Sequence, residues 1–133
     1  MNELLQKDQN KLIRYLLNKE SELDLPQPFE RDIYLFDTYV AGTTHIKEME
    51  IIGSQIKEGD RLVFFREPKN EYDPQAIRIE TLKNETIGYV PRQDNIVFSR
   101  LMDAGKELFA KVIEKEKIEK WFKIKIKIYL HES

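Results

Sequence analysis

The stretch 121-WFKIKIKIYL-130 decides the fold class. Phe122, Ile124, Ile126, Ile128 and Leu130 fall on one side of an extended chain, and Lys123, Lys125 and Lys127 on the other. A period of two sustained over ten residues marks a strand with one face on a core and one in water. The segment "ELFAKVIEKEK" just before it reads as its hairpin partner. Upstream lie "IYLFDTYVAG" from Ile33, "RLVFF" from Arg61, "AIRIE" from Ala76 and "ETIGYV" from Glu85. "RLVFF" is almost continuously apolar, which predicts cover on both faces. Gly59-Asp60 supplies a turn ahead of it. One helix interrupts the strands: Asp94 reads as its N-cap, "NIVFSRLMDA" as its body and Gly105 as its stop. Five to seven short strands and one helix predict a small, highly curved β-barrel.

Residues 3–19 read as a further, amphipathic helix. Leu5, Leu12 and Leu16 recur at near-heptad spacing with Leu4, Ile13 and Leu17 beside them. The prolines of "DLPQPF" end it. The expected organisation is therefore residues 1–30 as a helix on a proline-containing tether, and residues 31–133 as the barrel domain. The helix either packs simply or serves a partner protein or self-association.

Composition narrows the function classes. With 133 residues, 41% apolar and 35% charged, the chain suits one modest core. It has no cysteine, which removes disulfides and thiolate metal sites, and its two histidines, His45 and His131, lack ligand spacing. No metal or other cofactor is expected. No apolar run reaches membrane-spanning length, and the first residues carry acids and amides unlike a signal peptide, so the expected location is the cytoplasm. Net charge is −2 but uneven. Residues 1–60 carry seven Lys/Arg against twelve Asp/Glu, whereas residues 61–127 carry fifteen against eleven.

The segment 66-REPKNEYDPQAI-77 lies between two strand-like runs and contains no glycine, unlike a tight hairpin turn. Asn70 and Asp73 can bond backbone amides, and Pro74 can begin a helical turn capped by Asp73. That structural reading leaves Tyr72 unexplained. A ring on a loop beside an amide, a cation and a carboxylate is also what a base-stacking site requires, at about 1–3 kcal/mol per stacked base. Both readings stand. Tyr39 shares a face with Ile33 and Leu35, which predicts core, although a strand-end tyrosine can reach a rim. Gly88 of "IGYVPR" permits close backbone approach. Arg92, just ahead of the helix, could hold a phosphate together with free helix amides, or simply face solvent. The lysine stripe of residues 123–127 could follow a nucleic-acid backbone or be the solvated face of an edge strand. Glu67, Glu71 and Asp73 could bind magnesium in a nuclease, but no nucleophile–base pair accompanies them, and the cations Arg66 and Lys69 interleave. Enzyme is the weaker reading.

Taken together, "DTYVAG", "GDRLVFFREPKNEYDPQAIRI", "TIGYVPR" and a helix ending near Gly105 resemble the HIRAN domain family over about residues 33–130. The resemblance implies a mainly β, OB-like barrel of about six strands with accessory helices, and a binding module rather than an enzyme. Eukaryotic relatives are fused to Snf-type DNA translocases that remodel stalled replication forks, where the domain grips the 3′ end of single-stranded DNA. An accessory role in DNA repair or fork processing follows as an expectation. By motif position, Tyr39 and Tyr72 would stack the terminal bases, and Asp73 would accept a hydrogen bond from the 3′-hydroxyl. Lys69 and Asn70 would lie against phosphate, Arg92 would add a cation, and Tyr89 would line the groove. Two positions depart from the pattern. Thr38 stands where end-binding relatives carry arginine, and Glu71 where they carry proline. Both remove favourable phosphate electrostatics. The alternative reading is a protein-interaction or scaffold module that has kept the barrel and lost DNA binding.

Overall fold

A computed structural model of the chain describes residues 30–132. The expected N-terminal helix lies outside the described residues. Six strands form one antiparallel sheet: β1 (Arg31–Tyr39), β2 (Arg61–Arg66), β3 (Ile77–Thr81), β4 (Thr86–Tyr89), β5 (Glu107–Ile118) and β6 (Trp121–Glu132). Their order is β1-β6-β5-β2-β3-β4. The sheet curls until its two edges meet at a single bridge, where Ala41 and Tyr89 exchange N–H···O bonds of 2.8 and 2.9 Å. Two α-helices complete it: α1 (Met49–Gln55) and α2 (Arg92–Asp103), with a 3-10 turn at Thr43–His45. The architecture is a mainly β half-barrel, in keeping with the small curved barrel expected from the alternation and the accessory helices the HIRAN resemblance implies; α1 is a helix that the reading of one helix among the strands did not contain.

The period-two pattern of β6 determines what fills the interior. Ile124, Ile126 and Ile128 are fully buried and pack with Leu62, Phe64, Ile77, Ile79, Ile87 and Val112. At about 1.5–3 kcal/mol for each fully buried aliphatic side chain, this cluster dominates the driving force for folding. Helix α1 presses a glycine against it: a β-carbon at Gly53 would stand 2.8 Å from the Phe122 ring. Lys115 donates to the Gly53 carbonyl at 2.9 Å and Lys117 pairs with Glu50 at 2.8 Å, tying α1 to β5.

Three local expectations are corrected. Helix α2 starts two residues before the expected cap. Its N-cap position is Pro91, and Asp94 sits in the first turn, where it accepts a 2.8 Å bond from Thr38. Strand β2 is covered on one face only: Leu62 and Phe64 are buried, while Phe65 remains exposed with the Arg78 guanidinium 5.1 Å from its ring centre. Strand β6 is no edge strand; β1 and β5 flank it on both sides. The Gly105 stop is as expected. Its φ of +91°, the Lys106 N–H to Leu101 O bond and the Gly105 N–H to Met102 O bond form a Schellman ending.

Candidate functional site

The loop between β2 and β3 is held from within. Glu67 N–H donates to the Ala76 carbonyl and closes its base at 3.0 Å. Asn70 is its hub: Oδ1 accepts from the amides of Tyr72 (2.8 Å) and Asp73 (3.0 Å), and Nδ2 donates to Glu67 (2.9 Å). Asp73 Oδ1 accepts from the Gln75 amide at 2.9 Å and starts the short turn that Pro74 enters. The structural reading of Asn70 and Asp73 is therefore correct. Nothing in it uses the Tyr72 ring, and the residue is 83% exposed at the loop tip.

Other elements fix the loop from outside. Arg66 makes two bonds to Asp103 at the end of α2 (2.9 and 3.1 Å) and one to the Ala76 carbonyl (2.9 Å). Buried Asn95, in the first turn of α2, donates to Asp73 Oδ2 at 2.8 Å. Arg92 donates through Nη2 to the Tyr72 carbonyl at 2.7 Å and lies 3.5 Å from Asp73 through Nε. Ser99 donates to Gln75 at 2.6 Å.

Between loop, strand β4 and α2 opens a cavity of about 620 Å³, bordered by Tyr72, Asp73, Asn70, Tyr89, Arg92 and Asn95 on those elements and by Ala41, Gly42 and His45 from the segment after β1. A site of this size falls in the range that accepts a nucleotide-sized ligand. Lys69 and Glu71 line the adjoining outer recess with Tyr72. Five of the seven candidate residues thus border one space, and Lys69 lines the neighbouring recess, which shares Asn70 and Tyr72 with it. Tyr39 lies two residues before Ala41 of the cavity wall. It ends β1 opposite Lys125, is 38% exposed rather than core, and is not among the cavity's lining residues.

Two carboxylates carry the electrostatics. Burial pushes the Glu67 pKa up, but hydrogen bonds from Asn70, Arg78 (2.6 Å) and Tyr89 (2.9 Å) outweigh it and hold the group below its ordinary value. Asp73 is likewise pushed up by burial and pulled lower by Asn95, the Gln75 amide and Arg92. Burial, and then the bond to Glu67, raise the Tyr89 phenol, so its hydroxyl stays a donor. Both acids are thus anionic at neutral pH, with Asp73 at the cavity wall. Among the described residues no group of three acids or histidines is placed to hold a metal ion.

A folded pKa below the unfolded value of about 4.3 for Glu gives stabilisation that is present above that pH and lost as pH falls through the folded pKa. Glu67→Gln should therefore lower stability at neutral pH while flattening the acid limb. Urea midpoints of both proteins at neutral and strongly acidic pH test this; parallel acid limbs would remove Glu67 from the account.

Two further residues hold the site together. The sequence gives Asn95 no role beyond the body of the helix, and Glu67 only that of a magnesium ligand or a self-neutralised loop charge. Their roles come from bonds spanning 22 residues to Asp73 and Tyr89.

The chain belongs to the HIRAN domain family, whose model matches residues 33–133. Among solved structures it is similar to a protein from Lactobacillus plantarum, with a TM-score of 0.73, 23% identity, and coverage of 78% of this chain and 99% of that one. It is also similar to the HIRAN domain of human HLTF. The crystal structure gives a TM-score of 0.61 at 13% identity, and the NMR structure 0.54 at 12%, each covering 77% of this chain and 80% of the other. At these identities the likeness is one of fold. Comparison with curated proteins gives no match.

Proposed function

We propose that the protein is a non-catalytic binding module for nucleic acid, and that the cavity under Tyr72 receives the 3′-hydroxyl end of single-stranded DNA in repair or fork processing. The observation that carries this reading is Tyr72 itself: a phenol ring left 83% exposed on a loop that is otherwise rigidly bonded. An aromatic face held in water without a packing role is suited to a base, and stacking of this kind tolerates any sequence. Beside it stand the two groups a strand terminus needs. Arg92, with Nη1 unbonded among the described residues, supplies charge for a phosphate. Asp73 supplies an acceptor for a hydroxyl donor. A terminal phosphate would meet the Asp73 carboxylate as a like charge.

The test is a titration of short strands that differ only at the 3′ terminus, over a range of salt. The hydroxyl-ended strand should bind more tightly than the phosphate-ended one, with affinity falling as salt rises. Equal affinities would reject recognition of the end. The alternative scaffold reading draws on Thr38, whose hydroxyl is engaged by Asp94, and on the exposed acid Glu71 beside Tyr72. Absence of binding to either strand would favour it.

A further inference from the structure

The outer face of the sheet carries a second feature that the cavity does not use. Arg61 on β2 stands opposite Lys111 on β5, and Lys111 opposite Lys127 on β6. Three cations thus lie in one row across three adjacent strands, with strands about 4.8 Å apart. None of the three makes an ion pair among the described residues. Asp37, opposite Lys127 on β1, instead accepts a 2.7 Å bond from the Tyr34 hydroxyl. Like charges directly opposite one another destabilise a sheet.

An aromatic row lies immediately beside the cationic one. Phe109, Tyr129 and Tyr34 are cross-strand neighbours on β5, β6 and β1. Phe109 and Tyr129 stack at 5.3 Å, and Tyr34 meets Tyr129 edge-on at 6.0 Å. Each ring holds one of the cations: Arg61 lies 3.7 Å from the Phe109 ring centre, Lys111 5.3 Å from Tyr129 and Lys127 5.4 Å from Tyr34. The rings fix the row in place without neutralising it.

The rest of the lysine stripe behaves differently. Lys125 pairs with Glu114 at 3.8 Å, and Lys123 stands opposite Glu116. The usual reason for such a stripe, protection of an edge strand, does not apply to β6, which lies between two strands.

We infer that this face is a second nucleic-acid contact surface, on which Arg61, Lys111 and Lys127 take successive phosphates of a strand without reading its sequence. It shares no residue with the cavity under Tyr72 and goes beyond the end-binding reading. The charge calls for a polyanion. Bases can reach the half-exposed Tyr34 ring, whereas an acidic polypeptide would offer nothing for it.

The experiment compares two doubly substituted proteins that each lose two positive charges from the same face: Lys111→Gln/Lys127→Gln and Lys123→Gln/Lys125→Gln. The probe is a single strand of about twenty nucleotides, longer than the ~4–16 that one small barrel covers. It carries a 3′-phosphate, so that end recognition does not contribute. The first variant should bind several-fold more weakly and reduce the slope of log K against log salt by about 1.4, the value for two lost phosphate contacts on a single strand. The second should match the wild type in both. Equal losses in the two variants, or no loss in either, would overturn the assignment. So would polyglutamate that binds as tightly as the strand and loses affinity in the same variant. Thermal unfolding of the first variant is measured alongside, because relief of the like-charge pair and loss of two cation–π contacts act in opposite directions; a midpoint near that of the wild type keeps the binding loss assignable to the surface. A separate titration with a short hydroxyl-ended strand reports the cavity alone, so failure of one site is distinguishable from failure of the other.

Discussion

Tyr72→Ala is expected to weaken binding of a hydroxyl-ended single strand by about 5- to 150-fold, the equivalent of the ~1–3 kcal/mol that one stacked base contributes. The same substitution should leave the thermal midpoint within experimental scatter, because the residue is 83% exposed. No described hydrogen bond involves its hydroxyl; its amide, which bonds to Asn70, is unaffected by the change. Tyr72→Phe should bind as the wild type does, since the face of the ring and not the phenol carries the contact. Fluorescence anisotropy with labelled strands, beside a thermal melt, separates these outcomes. Unchanged affinity of Tyr72→Ala would remove the ring from the interface. A large fall in stability would mean that the ring serves the fold instead.

Gly88→Val should have the largest effect on stability. Gly88 lies in β4 opposite Ile79, with φ +154°. A β-carbon there would collide with the Ala41 carbonyl oxygen and with a Val40 methyl at 2.6 Å. Both belong to the segment that closes the curled sheet. The clash cannot be relieved by turning a side chain, because one of the atoms is backbone, and its neighbour Tyr89 shares two hydrogen bonds with Ala41. We expect destabilisation of more than ~4 kcal/mol, in the exceptional class for single substitutions. Urea denaturation measures it directly. A midpoint at the wild-type value would mean that the bridge contributes little to the fold. The cavity should suffer with the seam, because Ala41 and Tyr89 form two of its walls.

How much of this was legible in the sequence depends on the range of the interaction. The β5–β6 hairpin was readable because β6 carries a clean alternation and the pairing of the segment before it follows from adjacency. Helix α1 was not. It has seven residues, its cap residue Glu48 makes no side-chain capping bond, and Gly53 is a poor helix former retained for its fit against Phe122. The start of α2 was displaced because Asp94 has the chemistry of a cap, yet its carboxylate is taken by Thr38, 56 residues earlier. Tyr72, Asp73 and Arg92, which border one cavity, stand out in the sequence because the loop motif and "GYVPR" announce themselves locally. Tyr39 was read as inward from its alternation with Ile33 and Leu35. The register shift between Tyr34 and Phe36 interrupts that alternation, and such an irregularity has no signature in residue types.

Arg66 restrains the loop from its base. Its guanidinium joins the end of α2 to the carbonyl of Ala76, while Asn95 joins the start of α2 to Asp73. The segment is thus moored to the helix at two points. If the cavity receives a strand end as proposed, that end would meet a lock already cut, and association would forfeit its own tumbling and drift but little of the host's freedom.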